Sequence, residues 1–195
     1  KRPNTRQLVL MSILTAVLFM GQVFMGFLPN IEIVSLLVIL YTLFFDRHVF
    51  LIIYVFVLLE GFLYGFGMWW FSYLYLWSIL AVVTLFFKKN RSVLLWSIIS
   101  GFFGLSFGAL CAIPYFFIGG WRAAFSYWVS GIIFDIPHCI GNFVLCLLLF
   151  RPLYRLLDFA VNNDLSEPII KNKYFYGDSS KTKFLPLKKR EAIAS

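Results

Sequence analysis

Long apolar runs alternate along the chain with short breaks that contain charged residues, Pro or Gly. The runs cover residues 8–28, 31–45, 49–66, 71–87, 93–118 and 127–150. A helix needs about 20 predominantly apolar residues to cross a bilayer, and most of these runs approach that length. The pattern predicts an all-α membrane protein, a bundle of six transmembrane helices in which run 31–45 is a tilted or partial crossing.

Polar residues recur on one face of the last run. Gly131, Asp135, His138 and Asn142 follow one another at helical spacing, so one side of the helix carries all four. An ionised carboxylate near the middle of a membrane span costs roughly 2.5–3.5 kcal/mol on insertion scales. This face must therefore turn toward protein, water or a ligand, and the rest of the chain must shelter it from lipid.

Composition agrees with a membrane location, and the distribution of charge predicts the orientation. The chain is 61% hydrophobic and 13% charged, whereas soluble domains carry about 25% charged residues. The net charge of +8 does not indicate a nucleic-acid partner, because Lys and Arg flank the apolar runs. Six crossings put these basic residues on one side and leave Arg122 on the other. Both termini are therefore predicted to be cytoplasmic.

The composition changes after Leu157. Residues 158–195 are polar and contain the basic sequence Lys188-Lys189-Arg190 near their end. We predict two parts: residues 1–157 form the six-helix transmembrane substrate-binding domain, and residues 158–195 form a mobile cytoplasmic tail. Attraction to anionic lipid headgroups explains the basic end more simply than a dedicated docking function does.

Acidic and aromatic residues concentrate in the outer half of the predicted bundle. Acids inside membrane spans are candidates for functional sites. The aromatic residues suit either an interfacial belt or a stacking surface for a ligand. The pattern leaves cationic, zwitterionic and neutral ring ligands equally open. The candidate substrate-binding residues are Asp135, His138, Asn142, Glu60, Tyr64, Glu32, Trp69, Trp70, Tyr73 and Trp128.

Small residues at four-residue intervals predict close contacts between helices. Ser100, Gly104, Gly108 and Ala112 lie along run 93–118, and small residues let helix backbones approach one another in lipid. We expect this face to pack inside the bundle. Ser12 and Ala16 form a shorter pair on the first helix, which suits a neighbouring helix or a partner protein equally well.

Catalytic chemistry is only weakly indicated. Asp135 and His138 could act as an acid–base pair on a lipid-like substrate, which is the alternative function, or they could pair simply to fix helix packing. One such pair does not define a reaction. Cys111, Cys139 and Cys146 show no metal-ligand spacing, and the chain has no phosphate-binding Gly-Lys loop. We therefore expect no metal, no cofactor and no ATPase activity in this chain.

Several segments together resemble a known family. They are Pro29-Asn30-Ile31-Glu32 after the first run, Gly-Phe-Leu-Tyr-Gly-Phe-Gly at 61–67, Gly-Ile-Ile-Phe-Asp-Ile-Pro-His-Cys-Ile-Gly-Asn at 131–142 and Phe-Arg-Pro-Leu at 150–153. With six predicted spans, this pattern resembles the substrate-binding S component of an energy-coupling factor (ECF) vitamin transporter, a class of bacterial ABC importer.

The resemblance implies a multi-pass protein of the bacterial cell membrane that captures a water-soluble vitamin or related micronutrient from outside. The implied partners are a transmembrane coupling subunit and two cytoplasmic ATPase subunits. In that family an AxxxA face of the first helix contacts the coupling subunit, and Ser12-x-x-x-Ala16 occupies the matching place here. An S component is a transport receptor, so the resemblance implies no enzymatic activity.

Overall fold

A computed structural model describes residues 3–28 and 30–162, and in these ranges it is helical without strands. The helices are α1 (Thr5–Met25), α2 (Val34–Phe45), α3 (Val49–Tyr64), α4 (Met68–Phe87), α5 (Val93–Cys111) and α6 (Ile113–Asn162). A short 3-10 turn, Asp46–His48, joins α2 to α3. The predicted all-α class is confirmed for the described residues.

The number of crossings remains a prediction. Among the described residues, five helical segments are long and apolar enough to cross a membrane, and one of them, Val34–Tyr64, contains both α2 and α3. The 12 residues of α2 extend about 18 Å at 1.5 Å per residue, against about 30 Å of hydrocarbon. Asp46, with φ of 52°, interrupts this segment. A multi-pass membrane protein follows from these lengths, whereas six separate crossings do not.

Consecutive helices from α3 onward run in opposite directions. Contacts between neighbouring helices establish this alternation. The earlier part of one helix meets the later part of the next in the pairs Asp46 with Lys88, Tyr75 with Leu110 and Trp96 with Phe150. The end of α5 meets an earlier part of α6 in the pair Gly108 with Asp135. Helix α2 runs parallel to α6, because Glu32 lies beside His138 while Phe44 packs against Tyr154. The beginning of α2 and the middle of α6 are thereby brought to the same level.

Helix α2 forms the centre of the bundle. Residues 34–42 are all buried, and α2 contacts α1, α3, α4 and α5. A helix that is apolar on every side is suited to such a position. The other helices expose large apolar side chains, including Phe24, Phe62, Phe86, Phe102 and Ile133. So extensive an apolar surface is suited to contact with lipid.

The small-residue face of α5 packs inside the bundle, as predicted. Ser100, Gly104, Gly108 and Ala112 are all buried. A Cβ atom added at Gly104 would lie 2.8 Å from the His138 carbonyl oxygen, so the backbones of α5 and α6 are in close contact there. Ser12 and Ala16 are exposed on α1, which leaves their role as a partner contact open.

The last two helices differ from the predicted runs. Helix α5 ends at Cys111, and α6 begins at Ile113 and turns sharply at Gly120, whose φ is 68°. Glycine adopts this left-handed conformation without the strain that a Cβ atom causes. Helix α6 continues to Asn162, five residues beyond the predicted boundary at 157. The remainder of the predicted tail, residues 163–195, lies outside the described residues.

Candidate functional site

Four polar side chains meet where the start of α2 faces the middle of α6. The Asn142 amide nitrogen donates to Oε1 of Glu32 at 3.3 Å and to the Ser35 hydroxyl at 3.1 Å. Nε2 of His138 lies 3.2 Å from the same Glu32 oxygen. The Ser35 hydroxyl also donates to that oxygen. We call Glu32, Ser35, His138 and Asn142 the polar cluster.

Local backbone features place Glu32 in this position. Asn30 has φ of 58°, a conformation that Asn tolerates better than most other non-glycine residues. Gly141 lets the following segment approach α6, since a Cβ atom there would lie 3.2 Å from Cγ1 of Ile31. Glu32 lies two residues before the first residue of α2, and a carboxylate is stabilised near the positive end of a helix. The loop and the glycine thus bring a distant acid onto the polar face of α6.

Aromatic rings continue from the polar cluster into the bundle. The Phe107 ring lies 4.8 Å from the His138 ring, and Tyr73 and Trp77 lie 6.3 and 6.1 Å from Phe107 between ring centroids. Phe103 packs against both Trp77 and Phe107. Most of these contacts are tilted or edge-to-face, the arrangements that aromatic quadrupoles favour. We call Tyr73, Trp77, Phe103 and Phe107 the aromatic column.

Glu60 is a second buried acid beside the aromatic column. It lies on α3 and is 2% exposed. Phe56 lies one helical turn before Glu60 and packs against Trp77 at 6.1 Å, so Glu60 is on the face of α3 that meets the aromatic column. Oε1 of Glu60 has no hydrogen-bond partner among residues 3–28 and 30–162, and neither does Oδ1 of Asn142 or Nε1 of Trp77. Buried polar groups are usually paired, so a group of unpaired atoms requires an explanation.

Asp135 occupies a different environment from the other members of the predicted stripe. Its Oδ1 accepts a hydrogen bond from the Gly108 backbone N–H at 3.0 Å, and it packs directly on that glycine. Its second oxygen has no partner in the described part of the chain. The predicted shelter is confirmed for Asp135, His138 and Asn142, which are buried, whereas Gly131 has open space beside it. The stripe therefore divides: the Asp135 side chain packs against α5, whereas the His138 and Asn142 side chains face Glu32.

The remaining candidate residues lie around the aromatic column or away from it. Trp69 contacts the Tyr73 ring edge-on at 5.1 Å. Trp70 donates from Nε1 to the Val57 carbonyl at 2.9 Å, which braces α4 against α3. Tyr64 and Trp128 are exposed, so these two suit an interfacial aromatic belt. Only part of the predicted aromatic set thus lines the region of the polar cluster.

Four residues of this region were not among the candidates: Ser35, Trp77, Phe103 and Phe107. Trp77 shares a helix face with Trp70 and Tyr73, and Ser35 follows Glu32 by one helical turn, so both had a spacing signal. Phe103 and Phe107 are four residues apart on α5, but Phe62 and Phe66 have the same spacing and are exposed. Nothing in the sequence distinguishes that pair from lipid-facing Phe.

Two other kinds of site are a metal centre and an apolar cavity. Among residues 3–28 and 30–162, no group of three His, Cys, Asp or Glu side chains is arranged to hold a metal ion. An apolar crevice of about 490 Å³ lies between the beginnings of α4 and α6, lined by residues that include Met68, Phe71 and Phe117. None of the candidate substrate-binding residues lines it, and Phe117 is 79% exposed. The crevice suits contact with lipid.

Comparison of this chain with protein-family models, with curated proteins and with solved structures returns no match.

Proposed function

We propose that this protein is a membrane receptor for a small molecule, of the kind represented by the S component of an ECF importer. One observation carries the proposal: polar groups from α2, α3 and α6 converge beside an aromatic column in a buried region that retains unpaired polar atoms. Pockets for small molecules combine apolar and aromatic walls with a few placed polar groups. A bound ligand would pair the atoms that the protein leaves unpaired.

The proposed role in transport rests on the resemblance in sequence to S components. It assigns the protein six crossings in a bacterial cell membrane, both termini in the cytoplasm and a water-soluble vitamin or related micronutrient as ligand. A coupling subunit and two ATPase subunits would supply the energy. The exposed Ser12 and Ala16 on α1 are compatible with a contact to the coupling subunit.

Native mass spectrometry of the purified protein tests the receptor role. We expect the wild-type protein to retain one small molecule per chain. Asn142→Ala should lose it, because Asn142 both donates to Glu32 and carries an unpaired oxygen. Phe86→Ala is the matched control, since that side chain is 82% exposed. Equal retention by Asn142→Ala and by the control would remove the polar cluster from the binding site.

The enzymatic alternative predicts a different outcome of the same purification. His138 Nε2 lies beside Glu32, and the Asp135 carboxylate accepts from Gly108, so no observed hydrogen bond joins the proposed catalytic pair. A receptor returns its ligand chemically unchanged after incubation. Conversion of the retained compound into a product by the isolated protein would favour an enzyme instead.

A further inference from the structure

We infer that the ligand is a flat, positively charged molecule with N–H donors, and that the Glu60 carboxylate binds its charge. This inference rests on the proposed receptor function and adds the chemical class of the ligand. It follows from three properties of the region: the sign of its charges, the balance of its unpaired hydrogen-bonding atoms and the shape of its aromatic wall.

The ionisable side chains of the region are mainly acidic. Glu32 belongs to the polar cluster, and Glu60 lies one helical turn after Phe56, whose ring packs against Trp77 at 6.1 Å. The basic side chains of the described loops are elsewhere: Lys88 pairs with Asp46 at the opposite ends of α3 and α4, and Arg122 is exposed at the start of the long part of α6. His138 is already beside Glu32. An anionic ligand would meet two carboxylates without a compensating cation, whereas a cationic ligand would neutralise one of them.

The unpaired atoms of the region are mainly acceptors. Among the fully buried atoms of the described polar cluster, Glu60 and aromatic column, Glu60 Oε1 and Asn142 Oδ1 are unpaired acceptors and Trp77 Nε1 is the unpaired donor. Glu32 already accepts hydrogen bonds from Asn142 and Ser35, whereas Oε1 of Glu60 accepts none from the described residues. A ligand that satisfies Glu60 and Asn142 must donate hydrogen bonds. Donors on a cation form the stronger, charge-assisted bonds to a carboxylate.

The aromatic column determines the ligand shape. Tyr73 and Trp77 stand nearly perpendicular to one another, at 86°, and Tyr73 and Phe107 at 85°. In such an arrangement the edge of one ring meets the face of the next, so the column contains both ring faces and ring edges. A cation is attracted to the face of Trp or Tyr, and a flat ring can stack there with little loss of conformational entropy. These features together favour a nitrogen-containing aromatic cation over a flexible aliphatic one.

Three probes of equal size test the ligand class: benzamidinium, benzamide and benzoate are cationic, neutral and anionic forms of one ring skeleton. Binding to the full-length protein in detergent, freed of retained small molecules, is measured by quenching of tryptophan fluorescence. We expect benzamidinium to bind at least tenfold more tightly than benzamide, and benzoate to bind most weakly. Glu60→Gln should remove most of the advantage of benzamidinium over benzamide.

Asp46→Asn is the matched control, because it removes the same charge at the opposite end of α3. It should leave the order of the three affinities unchanged. Benzoate or benzamide binding as tightly as benzamidinium would overturn the inference, and so would an absence of benzamidinium binding. Identification of an anionic or neutral retained compound by native mass spectrometry would overturn the ligand class alone. The absence of any retained compound would instead contradict the receptor function.

Discussion

Glu32, which is partly buried, and Glu60, which is buried, illustrate how residues of one type take different roles. Oε1 of Glu32 accepts hydrogen bonds from Ser35 and Asn142 and lies beside His138. Oε1 of Glu60 has no partner in the part of the chain that the structure describes. A carboxylate that satisfies several neighbours stabilises the fold, whereas an unpaired one is available to a ligand. Substitutions at Glu32 and at Glu60 should therefore have different effects on the stability of the protein.

Replacement of Glu32 by Ala should lower the stability of the protein. It would leave the buried donors of Ser35 and Asn142 without their common acceptor, and each unsatisfied buried group costs about 1–3 kcal/mol. Glu60→Gln should have little effect or a slightly stabilising one in the absence of ligand, because it keeps the shape of a side chain whose Oε1 is unpaired. Thermal unfolding followed by intrinsic fluorescence measures both. A loss of thermal stability for Glu60→Gln as large as that for Glu32→Ala would contradict the different roles of the two glutamates.

The burial of the polar stripe could be predicted from sequence, but its partners could not. Exposure of a carboxylate to lipid is costly, so helical spacing alone predicts shelter for Asp135, His138 and Asn142. The partner of His138 is 106 residues away along the chain. Its position depends on the left-handed Asn30 and on the space beside Gly141. No periodic pattern reports such a contact, and the division of the stripe between α2 and α5 was therefore not foreseen.

At the scale of elements, the contact between α5 and α6 depends on glycine. A Cβ atom at Gly104 would lie 2.8 Å from the His138 carbonyl oxygen, and that backbone atom belongs to a packed helix. Gly131 also lies on α6, but a Cβ atom there would meet nothing within 4 Å. The two glycines make a matched pair that separates the packing effect from helix propensity.

Gly104→Ala should destabilise the protein by about 1–3 kcal/mol, as overpacking of a tight contact does. Because His138 lies directly at this contact, ligand retention should fall as well. Gly131→Ala should be neutral or stabilise the helix by up to about 1 kcal/mol, since Ala favours helix over Gly. Thermal unfolding of both variants provides the comparison. An unaffected Gly104→Ala variant would show that the two backbones are farther apart than described.

Helix boundaries were predictable wherever an apolar run stops at charged residues. The charged residues after Phe45 and Phe87 end α2 and α4 at the predicted positions. The boundary between the last two helices was wrong, because residues 121–126 suit a helix although they interrupt the apolar run. Pro114 follows the first residue of α6, a position near a helix start where the missing N–H of proline is tolerated. Hydropathy alone therefore mistook a helical segment for a connection.

At the scale of the whole molecule, the number of crossings distinguishes two topologies. If α2 and α3 each cross, Thr5 and Lys89 lie on the same side of the membrane and Arg122 on the other. An odd number of crossings between Thr5 and Lys89 would place them on opposite sides, although α2 is parallel to α6 and antiparallel to α3, so Val34–Tyr64 forms a hairpin rather than one straight crossing. All three side chains are exposed, so each tolerates replacement by Cys.

Labelling with a membrane-impermeant maleimide in intact cells resolves this question. The six-crossing topology predicts reaction of Arg122→Cys from outside, and reaction of Thr5→Cys and Lys89→Cys only after permeabilisation. The unsubstituted protein is the control, because Cys111 and Cys146 are buried and Cys139 is partly buried. Opposite accessibility of Thr5→Cys and Lys89→Cys would contradict six crossings and the cytoplasmic location of both termini.

The class of the molecule was predictable because lipid imposes a simple rule on composition and helix length. Its function is harder to predict, because a binding region is assembled from distant residues such as Glu32, Glu60 and Phe107. Phe107 illustrates the difficulty, since the chain has 24 Phe residues and nothing in the sequence indicates that this one contacts His138. The receptor function consequently depends on whether a small molecule fills the region that these residues form.

Native mass spectrometry of the wild-type protein, released from detergent without denaturation, tests that function most directly. We expect a mass that exceeds that of the chain by one small molecule, present in stoichiometric amount and lost on denaturation. The bound compound should be flat and positively charged. A wild-type protein that carries no small molecule, after purification from cells and after incubation with extracts of their growth medium, would contradict the receptor function.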